Sequence, residues 1–280
     1  MGGPVPFTPF LFPMTTPSLR FGIHDFLNAR PLLVPLKEKA SEAGFQIVTD
    51  TPSALADRLK SGDVDLAMIP SVEYFKSADS YRLVPDVCIA SRGQVGTVLL
   101  LAKKPLAEIT SVAVDVRSRT SVALLKILFP FSSDTKIHPV APDLESMLAE
   151  HAAAMIIGDR ALTLGDPGPG ITVYDLSEEW FRQTGKTFVH AVVAVRQGIN
   201  LDRARQDFIQ QAKQEGRKRI KEIVRAHTEL ARVDTNVLED YLENKIRYDL
   251  KADEMAGLTH FSHLCHEHGI IPEKISLQLI

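Results

Sequence analysis

From Leu19 onward, short apolar strands alternate with helical segments, and this alternation most constrains the fold. Leu19–Ile23 reads as a strand. Pro31–Ala43 carries Leu32, Leu33, Val34 and Leu36 and stops at Gly44, the pattern of a helix ended by glycine. Phe45–Thr49 is a second strand. Thr51-Pro52 offers a hydroxyl N-cap followed by proline at the first helical position, which opens a helix to Lys60. Asp65–Ile69 is a third strand, and Pro70-Ser71 opens a helix through Lys76. Strand and helix in turn predict a largely parallel sheet with helices on its faces.

The middle of the chain repeats this order after an interruption. Tyr81–Ala90 and Val95–Lys103 are both extended, with Ser91-Arg92-Gly93-Gln94 between them. Strands follow at Ser111–Val116, Lys136–Val140 and Ala154–Ile157, separated by helices at Thr120–Phe129 and Asp143–Glu150. Gly165–Gly170 is a loop by composition. Ile171–Leu176 and Phe188–Val195 are further strands, with a helix at Glu178–Gln183. Asp202–Leu230 then carries one long helical period, and Val237–Lys245 and Asp253–His268 are two more helices. Two α/β runs predict two lobes: residues 19–94 with 192–280, and residues 95–191. Open α/β lobes bind ligands beyond the carboxyl ends of their strands, so a cleft between two such lobes is the expected site.

Composition narrows the class. The chain has 280 residues, a formal charge of −3, 45% hydrophobic and 24% charged residues. These values exclude a disordered chain, a collagen-like chain and a highly cationic nucleic-acid binder. No apolar run is long enough to span a bilayer. Cys88 and Cys265 are too few for a disulfide framework. Residues 1–18 hold prolines at 4, 6, 9, 13 and 17 and no charge. They read as an extended or disordered tail rather than an export signal, which needs a basic start and an unbroken apolar core. The cytoplasm is the expected location. Composition sets no oligomeric state.

Candidate residues lie just after the strands. Ser118-Arg119-Thr120-Ser121 follows a strand and opens a helix. Free N–H groups and hydroxyls there form either an anion site or ordinary N-caps. Pro70-Ser71 carries the same two readings. Ser91-Arg92-Gly93 is either a crossover between lobes or a hairpin turn. Asn28 follows the first strand and is a ligand contact or a cap. Asp159 follows Gly158 after another strand, and a helix-start residue fits it better than a general acid. His260, His263, Cys265, His266 and His268 suggest metal, but no second cluster completes a coordination set, and an exposed helix face fits better. Arg217, Lys218, Arg219, Lys221 and Arg225 read as a solvated face diluted by Glu215 and Glu222. Walker, dinucleotide and Gly-x-Ser-x-Gly motifs are absent from the sequence.

Several of these segments, taken in order and spacing, resemble one family. Phe26-Leu27-Asn28-Ala29-Arg30-Pro31-Leu32, the run Gly62 to Tyr74 (GDVDLAMIPSVEY) and the run Ile89 to Leu100 (IASRGQVGTVLL) are similar to chorismate dehydratases of the futalosine route to menaquinone. So are Ser118 to Val122 and Ile157 to Leu162. The resemblance spans about residues 19–268. It departs at Thr97, where serine is expected, and at Phe188-Val189-His190-Ala191, where a more aromatic segment is usual. It implies a two-lobed fold like the type II periplasmic binding proteins, chorismate as the small-molecule partner, and no metal or organic cofactor. It also implies catalytic roles for Asn28 and Ser91. Substrate contacts are implied at Ser71, Arg92, Gly93, Thr97, Ser118, Thr120, Ser121 and Asp159. The rival readings are a 1,4-dihydroxy-6-naphthoate synthase of the same route, a non-catalytic solute-binding protein and a ligand-sensing regulatory domain.

Overall fold

The protein is seen here as a computed structural model that describes residues 18–227, 230 and 232–280. The expected N-terminal tail, apart from Ser18, lies outside the described residues. In the first half, β1 (Leu19–Ile23) pairs parallel to both β2 (Phe45–Thr49) and β3 (Leu66–Pro70). The crossovers are α1 (Arg30–Lys39) and α2 (Pro52–Ser61), as the proline and cap signals predict. The Thr51 side chain accepts the Ala54 N–H, so the expected cap forms. A short α3 (Ser71–Phe75) follows β3 and leads to β4 (Tyr81–Ser91).

The chain then enters a second sheet. Its elements are β5 (Val98–Ala102), β6 (Ser111–Asp115), α4 (Thr120–Leu128), β7 (Lys136–Val140), α5 (Leu144–Glu150), β8 (Ala153–Ile157), α6 (Asp159–Leu162), β9 (Thr172–Asp175) and α7 (Leu176–Thr184). It returns through β10 (Phe188–Arg196), which inserts between β3 and β4. The last part holds α8 (Arg203–Lys218), α9 (Ile220–Ala226), α10 (Thr235–Asp240), β11 (Ile246–Arg247) and α11 (Ala252–Glu267). The sheet orders are β11-β4-β10-β3-β1-β2 and β7-β6-β8-β5-β9.

Both sheets are mixed, which the strand–helix alternation alone does not reveal. β10 runs antiparallel to β3 and β4, and β11 antiparallel to β4. In the second sheet, β5 runs antiparallel to β8 and β9. Because β4 and β5 sit in different sheets, residues 92–97 are a crossover and not a hairpin turn. Two helical expectations also change. The segment read as one helix from Asp202 breaks at Arg219 (φ −107°, ψ 17°). The Arg219 guanidinium there gathers Glu38, Glu215 and Glu222, and the change of direction buries Ile220, Ile223 and Val224. The segment Val237–Lys245 divides into α10 and a wide π-helical turn, Tyr241–Lys245, that aims Tyr241 inward.

Two close approaches fasten this architecture. Along α8, Gly216 lies against the Pro31 backbone of α1, and along α11, Gly257 lies against the Thr187 carbonyl. Trp180 of α7, Phe188 of β10 and Phe261 of α11 meet edge to face, with centroids 5.0–5.8 Å apart. These rings join the halves through one continuous core. Among the described residues, no helix is long and apolar enough to cross a membrane. A Cβ at either glycine would overlap backbone that cannot swing aside. Gly216→Ala and Gly257→Ala are each expected to cost about 1–3 kcal/mol, read as a lower denaturation midpoint at unchanged m-value. Unaltered midpoints in both would contradict this packing.

Candidate functional site

A cavity of about 80 Å³ lies between the two sheets and is partly open to solvent. Its walls come from the ends of parallel strands and from the starts of antiparallel ones. Residues after β1 supply His24, Phe26 and Asn28; those after β6 supply Arg117 to Ser121; those at the start of β5 and β10 supply Thr97 and His190.

Asn28 sits in a single 3₁₀ turn, Leu27–Ala29. That turn is held from the opposite sheet. Both Asp159 carboxylate oxygens accept the Leu27 N–H, each at 3.0 Å, and His227 Nε2 stands 3.2 Å from Asp159 Oδ2. Asp159 therefore spans the cleft as a strut rather than facing the cavity. The Asn28 side chain interacts with the Tyr241 hydroxyl, and its Oδ1 atom is buried with no hydrogen-bond partner among the described residues. A buried carbonyl oxygen left unpaired costs about 1–3 kcal/mol, so a donor from a ligand would be welcome there. Beside it, the Tyr241 hydroxyl lies 3.2 Å from Thr97 Oγ1. Burial pushes the Tyr241 phenol above its ordinary value, so it stays protonated.

The serine-rich segment divides its work. Thr120 Oγ1 accepts the Val72 N–H at 3.3 Å and lies 3.4 Å from Ser71 Oγ, whose hydroxyl donates to the Val189 carbonyl at 2.8 Å. Ser71 is fully buried behind Thr120 and does not line the cavity. Ser118 and Ser121 do line it, and neither side chain makes a hydrogen bond within the described residues. No side chain of the described residues caps α4. The capping reading is thus not what forms, and the first-turn N–H groups of α4 remain available to an anion. The flanking cations are already matched. Arg117 is clamped by Asp115 at 2.6 and 2.9 Å and lies over the Phe26 ring, while Arg119 bonds Asp57 and Glu73 at 2.7 and 3.0 Å.

Ser91 is fully buried and lies outside the cavity wall. Its Oγ is 2.5 Å from Ser177 Oγ and 2.7 Å from His190 Nε2. Arg92 points away, over the Phe181 ring at 5.2 Å and 3.7 Å from Asp253. Gly93 sits in the crossover at φ +81°, also off the cavity wall. So the structure brings Asn28, Thr97, Ser118, Thr120 and Ser121 to the cavity. It sets Ser71, Ser91 and Asp159 one layer behind, and it leaves Arg92 and Gly93 apart. Cys88 is buried within β4. His260 of the C-terminal histidine run packs on the Trp180 ring, 5.6 Å away.

His24, Phe26, Arg117, Ser177, His190 and Tyr241 are not among the site residues expected from sequence, although Phe26 opens the first family-like segment and His190 lies in the segment that departs from the family. Gly158, at φ +68° and ψ −150°, adopts a conformation open essentially only to glycine, and an added Cβ would press on Phe26 at 3.3 Å.

Burial lowers His24 and His190 from the usual 6.5 to about 4, so both rings are neutral at pH 7. Unfolded histidine protonates first as pH falls, so the contribution is complete above about pH 6.5 and is lost progressively down to about pH 4. Each ring adds a slope of up to roughly 1.4 kcal/mol per pH unit in that window. Urea titrations across it are expected to show that slope in the wild type and a shallower one in His24→Gln/His190→Gln; equal slopes would refute the assignment.

Comparison with known proteins places these features. A family model described as menaquinone biosynthesis matches residues 19–267. A chorismate dehydratase of Thermus thermophilus is 31% identical over 256 residues, covering 86% of this chain and 93% of that protein. A crystal structure of an Archaeoglobus fulgidus protein superposes with a TM-score of 0.73 at 15% identity, covering 91% of this chain and 98% of the other. The periplasmic aliphatic sulphonate binding protein of Escherichia coli superposes with a TM-score of 0.61 at 14% identity, covering 93% and 90%. At such low identity the structural matches establish the fold alone, a two-lobed α/β fold like the periplasmic binding proteins with a cleft between the lobes. On the family model and the relative of like sequence, this chain belongs to the menaquinone biosynthesis family.

Proposed function

We propose that this protein is a chorismate dehydratase, a hydro-lyase that converts chorismate to 3-[(1-carboxyvinyl)oxy]benzoate in the futalosine route to menaquinone. The observation that carries the reading is the character of the cavity. It lies between the lobes with a largely apolar wall whose two cations, Arg117 and Arg119, are already paired with carboxylates, and it has an uncapped helix start on one side and the unpartnered Asn28 oxygen on the other.

The reaction breaks the C–H bond at the ether-bearing ring carbon and the neighbouring C–OH bond. The electron pair from the first completes the aromatic ring, and the proton and hydroxide leave together as water. Aromatisation drives the step, so the protein's task is to hold one conformer and exclude competing chemistry. Chorismate has two carboxylates. Ser118, Ser121 and the first-turn N–H groups of α4 suit one of them, and they suit it without a free cation. Asn28 is placed to orient the ring and its hydroxyl. None of the described residues lining the cavity is Asp or Glu. On this reading the side-chain carboxylate of the substrate, within reach of the ring proton, acts as the base.

The test is incubation of pure protein with chorismate alone, followed by mass identification of the product. The expected result is loss of one water, with turnover reduced at least about 100-fold in Asn28→Ala. Binding without product would favour a solute-binding protein. Turnover only of a dehypoxanthine futalosine derivative would favour the naphthoate synthase.

A further inference from the structure

β10 does not run evenly past β4. Val189 pairs with Ala90 and Ala191 with Ile89, so two steps on β10 oppose one on β4. His190 is the extra residue of this β-bulge. Bulges re-aim a side chain at the expense of ladder pairing and recur beside active sites. Here the bulge turns the imidazole so that Nε2 meets Ser91 Oγ at 2.7 Å while the ring borders the cavity.

Counting protons fixes the direction of the chain. Ser177 and Ser91 each have one hydroxyl proton, and two short contacts link Ser177, Ser91 and His190. If Ser177 donates to Ser91 and Ser91 donates to His190 Nε2, both protons are used. In the opposite direction the Ser177 proton has no acceptor within the described residues. With Nε2 accepting, a neutral imidazole carries its proton on Nδ1. That nitrogen has no partner among the described residues, yet it is absent from the sealed, unpartnered atoms, which include Nδ1 of His151 and His227. It therefore opens on the cavity. Burial keeps the ring neutral, as noted above, so the tautomer persists at neutral pH.

We propose that His190 is the cavity's neutral hydrogen-bond donor through Nδ1–H, with Ser91 and Ser177 as positioning residues that set its tautomer from behind. On the chorismate reading, on which this assignment of its target rests, the donor meets the departing hydroxyl oxygen as negative charge develops there. Ser91 then acts through His190 rather than on the ring. The neutral donor retains its proton throughout, so the atoms of the elimination still balance as substrate to product plus water.

Three variants and one spectrum test this. Asn places an amide N–H near the position of histidine Nδ1, and Gln places one near Nε2. His190→Phe is expected to lower kcat about 100-fold, His190→Gln to fall equally, and His190→Asn to stay within about tenfold of wild type. Wild-type activity in His190→Phe, or better rescue by Gln than by Asn, would overturn the proposal. Two-bond nitrogen–proton correlation of the histidine rings needs no substrate. It is expected to show protonated Nδ1 and bare Nε2 for His190, with that preference lost in Ser177→Ala. A wild-type ring protonated on Nε2 would also overturn it. A wild type inert toward chorismate would sink the functional reading, and the tautomer measurement would then decide the relay on its own.

Discussion

One carboxylate, Asp175, ties the crossover between the sheets to the helix that backs the site. Its oxygens accept the N–H groups of Val95 at 2.9 Å and Gly96 at 2.6 Å, both in the crossover, and of Ser177 at 2.9 Å and Glu178 at 3.2 Å, both opening α7. Burial pushes its carboxyl upward, and the four donors pull the other way. Without this group, several main-chain donors would be left unsatisfied in a largely buried place. With it, the start of α7 is fixed against the end of β4. That places Ser177 on Ser91, and Ser91 on His190. A side chain that the sequence places only within the expected strand Ile171–Leu176 thus organises groups from both lobes.

A second constraint is the matching of charge before any ligand arrives. Arg117 and Arg119 flank the first turn of α4, yet each already has a carboxylate partner. On the proposed function, recognition of an anion at α4 would fall to oriented N–H groups and hydroxyls. Such donors are preorganised and directional, and they are strongest where water is excluded. The Asp159 strut and the Trp180–Phe188–Phe261 cluster hold the two walls together, so the cavity is bordered by groups that belong to both sheets.

Much of the fold was legible because its signals are local. Proline and hydroxyl cap signals located α2, and apolar runs located β1, β2, β3 and β6 to within a residue. The long C-terminal helix was misread for a physical reason: periodicity continues through Arg219, and only its three carboxylate partners and the burial of α9 mark the break. Asn28, Ser118, Thr120 and Ser121 were found because they follow strands whose carboxyl ends face the cleft. His190 and Thr97 lie at the starts of antiparallel strands, where that rule does not look.

By itself the chain's order of residues determined the elements, the two-lobed α/β class and a family resemblance, since each depends on neighbours a few positions apart or on motifs in fixed order. Only tertiary structure decided which hydroxyls meet the cavity and which stand behind it. Strand direction, a one-residue bulge and contacts across about 80 to 130 positions control that choice, and none of these is encoded in any short stretch of sequence.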